Sequence, residues 1–527
     1  MARDFHLPGR SQVIAGQGMA ATSHPLATLA ALDVLRAGGN AADAAVTAVA
    51  VLCVIEPHMT GIGGDCFALI ADPGKPVWGY NGCGRAGAKA STEALLAKGM
   101  TSIEATSPHA VNVPGAIEAW GEILKVHGTW PLDRVLAPAI RYAEHGFPVA
   151  PRVAADWKGL VAKLGNSLGA TRHYLINGQA PAEGDVIKLP ALAETLKAIA
   201  RSGPRAFYEG LVAEDMVATL QAKGSVLTVE DFAKHRGEAP TPISTNYRGV
   251  DLVEIPPNTQ GLTALVMLNI LENFDLSALD ALGADRFHLM LEAARIGFAV
   301  RDTHIAEPSY MRVAAAALND KAFAKQLAAK IDRTKRVPLP TAPTPGGDTV
   351  YLTVVDRDRK AVSFINSLYS AFGSAICTEK TGVMFNNRGS GFVLTPGHPN
   401  ALGPDKRPMH TIIPALAMKD GRCDTTFGVM GAHYQPMGHV QMILNMVDYG
   451  MDVQSAIDAP RAFFEGESTV IERGMPAATV EGLKAKGHNV VVAPTPWGGA
   501  QAIRIDWKRG VLIGGSEPRK DGCALGY

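Results

Sequence analysis

The chain has no excess of either charge, no paired-cysteine motif and no apolar run long enough to cross a bilayer. Its 50 Lys+Arg balance 50 Asp+Glu, so no basic reserve is available for a polyanion, which argues against nucleic acid as a partner. Six cysteines (Cys53, Cys66, Cys83, Cys377, Cys423, Cys523) lack C-x-x-C spacing. That argues against a zinc or redox motif and favours reduced thiols. The longest apolar run, Ala44 to Ile55, contains Thr47 and is too short for a membrane span. The first ten residues carry no apolar h-region, so a cytoplasmic protein without a signal peptide or membrane contact is expected.

Catalytic signatures are also missing. Neither H-E-x-x-H nor H-x-x-E-H occurs, so no metal site is expected. The G-x-S-x-G elbow is absent, and Gly389-Ser390-Gly391 has the wrong spacing. Gly61-Ile62-Gly63-Gly64-Asp65 precedes a strand pattern instead of following one, so it is no dinucleotide fingerprint. Close backbone packing is the role expected of those glycines, and no cofactor is expected.

What is present is a large apolar reserve: 47% hydrophobic and 19% charged residues over 527 positions. That suits one large unit or two to three domains. Helix patterns run over 26–55 with a stop at Gly38-Gly39-Asn40, over much of 115–235 (for instance Pro138–His145 and Ala191–Arg201), over Ala284–Arg301 and over Ala314–Ile331. Cys66–Ile70 reads as a strand. Residues 334–348 turn Pro/Gly/Thr-rich, as a linker does. After them the texture changes to strands. Thr349–Val355 alternates and is β-branched, Asp356–Arg359 is a polar turn, and Lys360–Ile365 begins the return.

The junction is the informative point. In Gly346-Gly347-Asp348-Thr349, a flexible leader meets a strand. Cutting Asp348–Thr349 would free an α-amine beside the Thr349 hydroxyl. An α-amine titrates near ~8 and can act as base for that hydroxyl at neutral pH. On its own, this tetrapeptide is usually only a loop. Acyl transfer also needs a supporting hydroxyl and oxyanion donors. Ser367 and Ser370 return past Thr349 on the second strand, and Gly428 to His433 could turn consecutive N–H groups toward one point. A plain turn is the alternative for each.

Taken together, the chain resembles the γ-glutamyltransferase family of N-terminal nucleophile hydrolases over nearly its whole length. The likeness rests on Thr349 before Val354-Val355-Asp356, Phe372-Gly373, and Gly382 to Asn387. It continues through Gly403-Pro404-Asp405-Lys406-Arg407-Pro408, the 428–431 turn and Asp458-Ala459-Pro460-Arg461. In the first half it includes Gly61–Gly64, Pro138-Ala139-Ile140 with Gly146-Phe147, and Glu292-Ala293 up to Arg301-Asp302.

The resemblance implies an α+β fold of the four-layer αββα type. It implies a precursor that cuts itself between Asp348 and Thr349 into a large chain, 1–348, and a small chain, 349–527. These stay folded as one unit, and two such heterodimers could associate. Thr349 would attack an amide carbonyl of a small-molecule substrate, Ser367 would support it, and Gly431 and Ala432 would hold the oxyanion.

Departures from the family concern the substrate. The family's carboxylate-binding arginine falls on Cys83, with Arg85 two residues on. Residues that hold an α-amino group become Arg388 and Gly391, after Asn386-Asn387. A hydroxyl pair becomes His410-Thr411. Exchanging a carboxylate for Arg388 repels an ammonium and attracts an anion. The substrate-contacting set expected is therefore Arg388, Arg85, Asn387, His410 and Thr411. The ligand expected is a carboxylate-bearing amide, as in the oxamate- or acyl-amide-hydrolysing branch. A short lid, Phe392 to Asp405, favours water over an amine acceptor. Glutathione hydrolysis and an inactive, unprocessed relative with a binding role remain as alternatives.

Overall fold

The computed structural model describes residues 9–338, 348–496 and 498–527. The Gly346-Gly347 leader and most of the expected linker lie outside the described residues.

The fold is a mixture of helices and two large antiparallel sheets. A six-stranded sheet runs in the order Cys523–Gly526, Met19–Thr22, Asp348–Val355, Ala361–Tyr369, Asp65–Ala71, Trp78–Gly82. A seven-stranded sheet runs Val13–Ala15, Val511–Ser516, Gly499–Asp506, Arg422–Met430, Ala415–Lys419, Val250–Glu254, Ile243–Tyr247. Both sheets interleave strands from before and after position 348. The early sequence is therefore less purely helical than its texture suggests: six of these strands precede the junction.

Among the described residues, the three largest cores follow from this arrangement. Phe67, Leu69, Tyr351, Ile365, Leu416, Ile503 and Leu512 belong to one buried cluster drawn from both sheets. On the far side of the six-stranded sheet, Val350, Leu352, Val362 and Phe364 pack with the helices Pro25–Arg36 and Ala41–Ile55. On the far side of the other sheet, Ala415, Phe427 and Val429 pack with Gly261–Leu271, Ala284–His304 and Gln435–Val447. Alternation along each strand sends successive side chains to these different cores.

Local chemistry fixes the elements that reach the site. Asn40 caps Ala41–Ile55, its side chain accepting from the Ala42 and Asp43 amides while Asp43 answers with a reciprocal bond; such a box satisfies otherwise orphaned N–H groups. Every residue of that helix is buried, as its unbroken apolar sequence requires. Asp356 accepts from the Ala41 amide at 3.0 Å, so the turn after the Thr349 strand is tied to a helix N-terminus, where a carboxylate is favoured.

The expected Ala314–Ile331 helix is in fact two pieces, Ala315–Leu318 and Lys321–Ala328. Asp320 caps the second by accepting from the Phe323 amide, and such a cap competes with helix continuation. The Pro138–His145 pattern is the second half of Leu132–His145. All six cysteines are free thiols, and no helix among the described residues is long and apolar enough to cross a membrane.

Candidate active site

Thr349 sits near the start of the strand Asp348–Val355, buried, on an inner pair of the six-stranded sheet. On one side its strand pairs with Ala361–Tyr369. On the other, Met19–Thr22 reaches only Thr353 to Val355. Asn366 faces Val350 and Tyr369 faces Asp348, so Ser367 and Leu368 together oppose Thr349. This is a β-bulge, which bends its strand and re-aims a side chain. Here it brings the Ser367 Oγ to 3.0 Å from the Thr349 Oγ1. The Tyr369 amide donates to the Ser367 Oγ at 2.8 Å, with Tyr369 held at φ 85°.

The glycines at 61–64 explain how the bulge is supported. A Cβ on Gly64 would lie 2.3 Å from the Ser367 carbonyl oxygen, and one on Gly63 would lie 2.0 Å from that of Met384. Only glycine permits this backbone-to-backbone approach.

Gly431 and Ala432 follow the strand Arg422–Met430 at φ 121° and 46°. The turn these two residues make leaves two successive amides available for an anion. Neither amide donates to a backbone acceptor among the described residues. A Cβ on Gly431 would meet the Gly498 Cα at 3.0 Å, so that position requires glycine. The Ala432 carbonyl is fixed from behind by the Gln260 Nε2 at 2.8 Å.

Beside this turn stands a buried polar wall. The Arg388 guanidinium donates from Nη1 to the Thr411 Oγ1 at 2.8 Å and lies over the Tyr369 ring, 4.0 Å from its centroid. Its Nε and Nη2 are buried without a hydrogen-bond partner. Asp65 Oδ2 stands 4.0 Å from Nε, beyond hydrogen-bond reach. Burial pulls the Arg388 pKa below its ordinary value, against the opposing pull of Tyr369, Asp65 and Cys83.

Further along, the Tyr369 Oη lies 3.3 Å from the His433 Nε2. Arg301 Nη1 contacts the His433 Nδ1 at 3.0 Å and donates to the Gln260 Oε1 at 2.8 Å. Gln260 closes the circuit by donating to the carbonyls of Thr411 and Ala432. Burial first, then the cations Arg301 and Arg388, hold the His433 pKa well below 6.5.

His410 is committed to the fold. Its Nε2 lies 3.0 Å from the Asp65 Oδ2, and its Nδ1 accepts from the Ile412 amide. Burial and Arg388 lower its pKa to about 3. Asp65, Cys83 and His410 offer ligand atoms within 4.8 Å of one another. They suit a metal poorly. Asp65 Oδ1 already accepts from the Gly84 and Gly115 amides, and the Arg388 cation faces the same carboxylate. The group is better described as the anionic support of that arginine.

The structure brings Thr349, Ser367, Arg388 and Thr411 into one network through Tyr369. Arg85 is placed apart from it, donating to Glu307 at 2.6 Å and to the Asp405 carbonyl at 2.7 Å. Asn387 spends its side-chain NH2 on the Ala105 carbonyl and the Ser370 Oγ, and its oxygen on the Ser370 amide. It shapes the turn after the bulge. Sequence reasoning missed Tyr369, Gln260 and Asp65, and gave His433 no part.

Comparison with known proteins adds an independent line. The gamma-glutamyltranspeptidase family profile matches residues 27–527. The chain is 38% identical over 524 residues to the glutathione hydrolase-like YwrD proenzyme of Bacillus subtilis, covering 98% of this chain and 99% of that one. It is 35% identical to the oxamate amidohydrolase proenzyme of Klebsiella pneumoniae subsp. pneumoniae, covering 98% and 100%. The crystal structure of cephalosporin acylase from Bacillus halodurans matches with a TM-score of 0.93 at 40% identity, covering 100% of this chain and 99% of that one.

Proposed function

The chain belongs to the gamma-glutamyltranspeptidase family, and from that premise we propose that it is a self-processing threonine amidohydrolase acting on small amides that carry a carboxylate. Cleavage between Asp348 and Thr349 would leave chains 1–348 and 349–527. The stacking of helices outside two facing sheets supports the four-layer αββα arrangement.

In the processed form, the Thr349 α-amine takes the hydroxyl proton as Oγ1 attacks the amide carbon. The oxyanion is received by the Gly431 and Ala432 amides. The ammonium returns its proton to the departing nitrogen, which leaves as ammonia or an amine, and an ester on Thr349 remains. Water, deprotonated by the same amine, then attacks the ester and releases the acid. Amine-assisted hydroxyl attack of this kind is the route open to a threonine at a chain start. Ser367 keeps Oγ1 oriented through the 3.0 Å contact.

One observation carries the substrate reading. The Nε and Nη2 of Arg388 form one edge of a guanidinium and are both unpartnered and buried. An edge of that kind matches the two oxygens of a carboxylate, and burying it unpaired costs free energy that an anion would offset. One residue, Tyr369, touches both this arginine and Ser367. The name of one relative, an oxamate amidohydrolase, agrees with such a ligand. Hydrolysis of γ-glutamyl compounds is the second reading, supported by the glutathione hydrolase-like relative.

The test has two parts. A denaturing gel should show two bands in place of one at 55.5 kDa. A panel of oxamate, short dicarboxylic monoamides and a γ-glutamyl anilide should favour the first two, with the preference lost in Arg388→Met. Strong glutamyl turnover indifferent to Arg388→Met would reject the carboxylate-amide reading.

A further inference from the structure

Tyr369 combines four features. It is a non-glycine residue at φ 85°, a conformation that bulky side chains avoid and that persists where the surroundings enforce it. Its amide serves the Thr349–Ser367 pair, and its ring lies under Arg388. Its hydroxyl ends a chain of hydrogen bonds whose direction can be worked out.

That direction follows from which groups can only donate. Arg301 has no acceptor, so the 3.0 Å contact with the His433 Nδ1 makes Nδ1 the acceptor. A neutral imidazole with an unprotonated Nδ1 carries its proton on Nε2. Burial and the two neighbouring cations keep His433 neutral. The 3.3 Å contact is therefore a bond from His433 Nε2–H to the Tyr369 Oη. The phenol oxygen accepts, and its own proton is left to point elsewhere. Tyr369 is half-buried, and the Arg388 guanidinium, whose Nε and Nη2 have no hydrogen-bond partner, lies over its ring with Cζ 4.0 Å from the centroid.

We infer that the Tyr369 hydroxyl is a specificity-determining donor that shares the substrate carboxylate with Arg388. Arg301 and His433 fix the phenol as a donor, so it favours an acceptor-only group and offers nothing to an ammonium or amide N–H. The inference rests on the carboxylate-amide reading above and adds to it a second, uncharged contact.

The test compares oxamate with oxamide, which replaces the carboxylate by a neutral amide of the same shape, in wild type, Arg388→Met and Tyr369→Phe. Gels confirm that each is cleaved. Tyr369→Phe keeps the ring and the backbone amide and removes one hydrogen bond to a charged group. It should lower kcat/KM for oxamate about 10- to 100-fold, mainly through KM. The loss on oxamide should be less than about threefold. Equal losses on both substrates would place the hydroxyl at the scissile carbonyl or in the fold and overturn the inference. So would an unchanged oxamate preference in Tyr369→Phe where Arg388→Met loses it. If wild type shows no preference for oxamate over oxamide, the carboxylate reading itself falls, and the inference with it.

Discussion

The two halves of the site are built on different principles. The proposed nucleophile end is local: Thr349 and Ser367 lie 18 positions apart on hydrogen-bonded strands, and a single bulge sets their contact. The proposed binding wall is assembled from Asp65, Gln260, Arg301, Arg388, Thr411 and His433, which the chain brings together over hundreds of positions. The first half uses backbone geometry and a weakly polar hydroxyl pair. The second holds two cations out of water, Arg301 bonded to Asp302, Gln260 and His433 and Arg388 with one edge left without a hydrogen bond. The first depends on one strand pair and the glycines packed against it, whereas the second depends on a polar circuit in which each loss exposes a neighbour.

The sharpest way to break this contrast is at Thr349. Thr349→Ala should remain one 55.5 kDa band and lose about 10³-fold or more of the activity. Its thermal stability should stay close to wild type, because only a hydroxyl and a methyl group are removed. Full activity in an uncut Thr349→Ala chain would remove the distinction altogether.

In the wall, the expected damage is to stability as well as turnover. Asp65→Asn keeps the shape but takes the charge from beneath Arg388 and His410. Asp65 is the carboxylate nearest this buried cation, 4.0 Å from Nε, and removing a buried counter-charge costs up to about 3–5 kcal/mol, which denaturant melts would read directly. An unchanged midpoint would show that Asp65 is not the support described here.

Acidification sharpens the comparison further. His410 and His235 are both pushed down to about 3 by burial, while an unfolded histidine titrates near ~6.5. The unfolded chain therefore binds more protons between these values. The stability these residues contribute is complete above pH ~6.5 and is lost as pH falls toward 3. Each should cost on the order of 1–2 kcal/mol by pH 5. Melting temperatures measured from pH 7.5 down to 5 should fall, and by less in His410→Gln.

The smallest effect is expected at Arg85. Its bond to Glu307 lies partly in solvent, with the arginine side chain 30% exposed, and such pairs contribute under about 1 kcal/mol. Arg85→Ala should change kcat/KM for oxamate by less than about threefold. A larger loss would move Arg85 into the binding wall.

Much of the architecture was legible because it repeats along the chain. The stop at Gly38-Gly39-Asn40 separates two helices as the pattern indicates, and Asn40 caps the second. The close-packing role of Gly63 and Gly64 is likewise visible in the distances a Cβ would meet. The helix across 314–331 failed as a reading because Asp320 prefers its own cap, a local bond that periodicity does not register. The wall failed for a deeper reason. Tyr369 and Gln260 sit in unremarkable sequence, and their importance comes from what lies opposite them.

Sequence alone determined the strand that begins at the junction, the glycines that let chains touch, and the kind of nucleophile a threonine there would make. All of these are properties of residues and their immediate neighbours. Only the tertiary structure decided which side of His433 carries its proton, that Arg388 keeps one edge bare, and that Arg85, Asn387 and His410 are already engaged. Hydrogen-bond direction and the cost of an unpaired charge depend on the groups that surround a side chain in space, and a linear order of residues does not contain them.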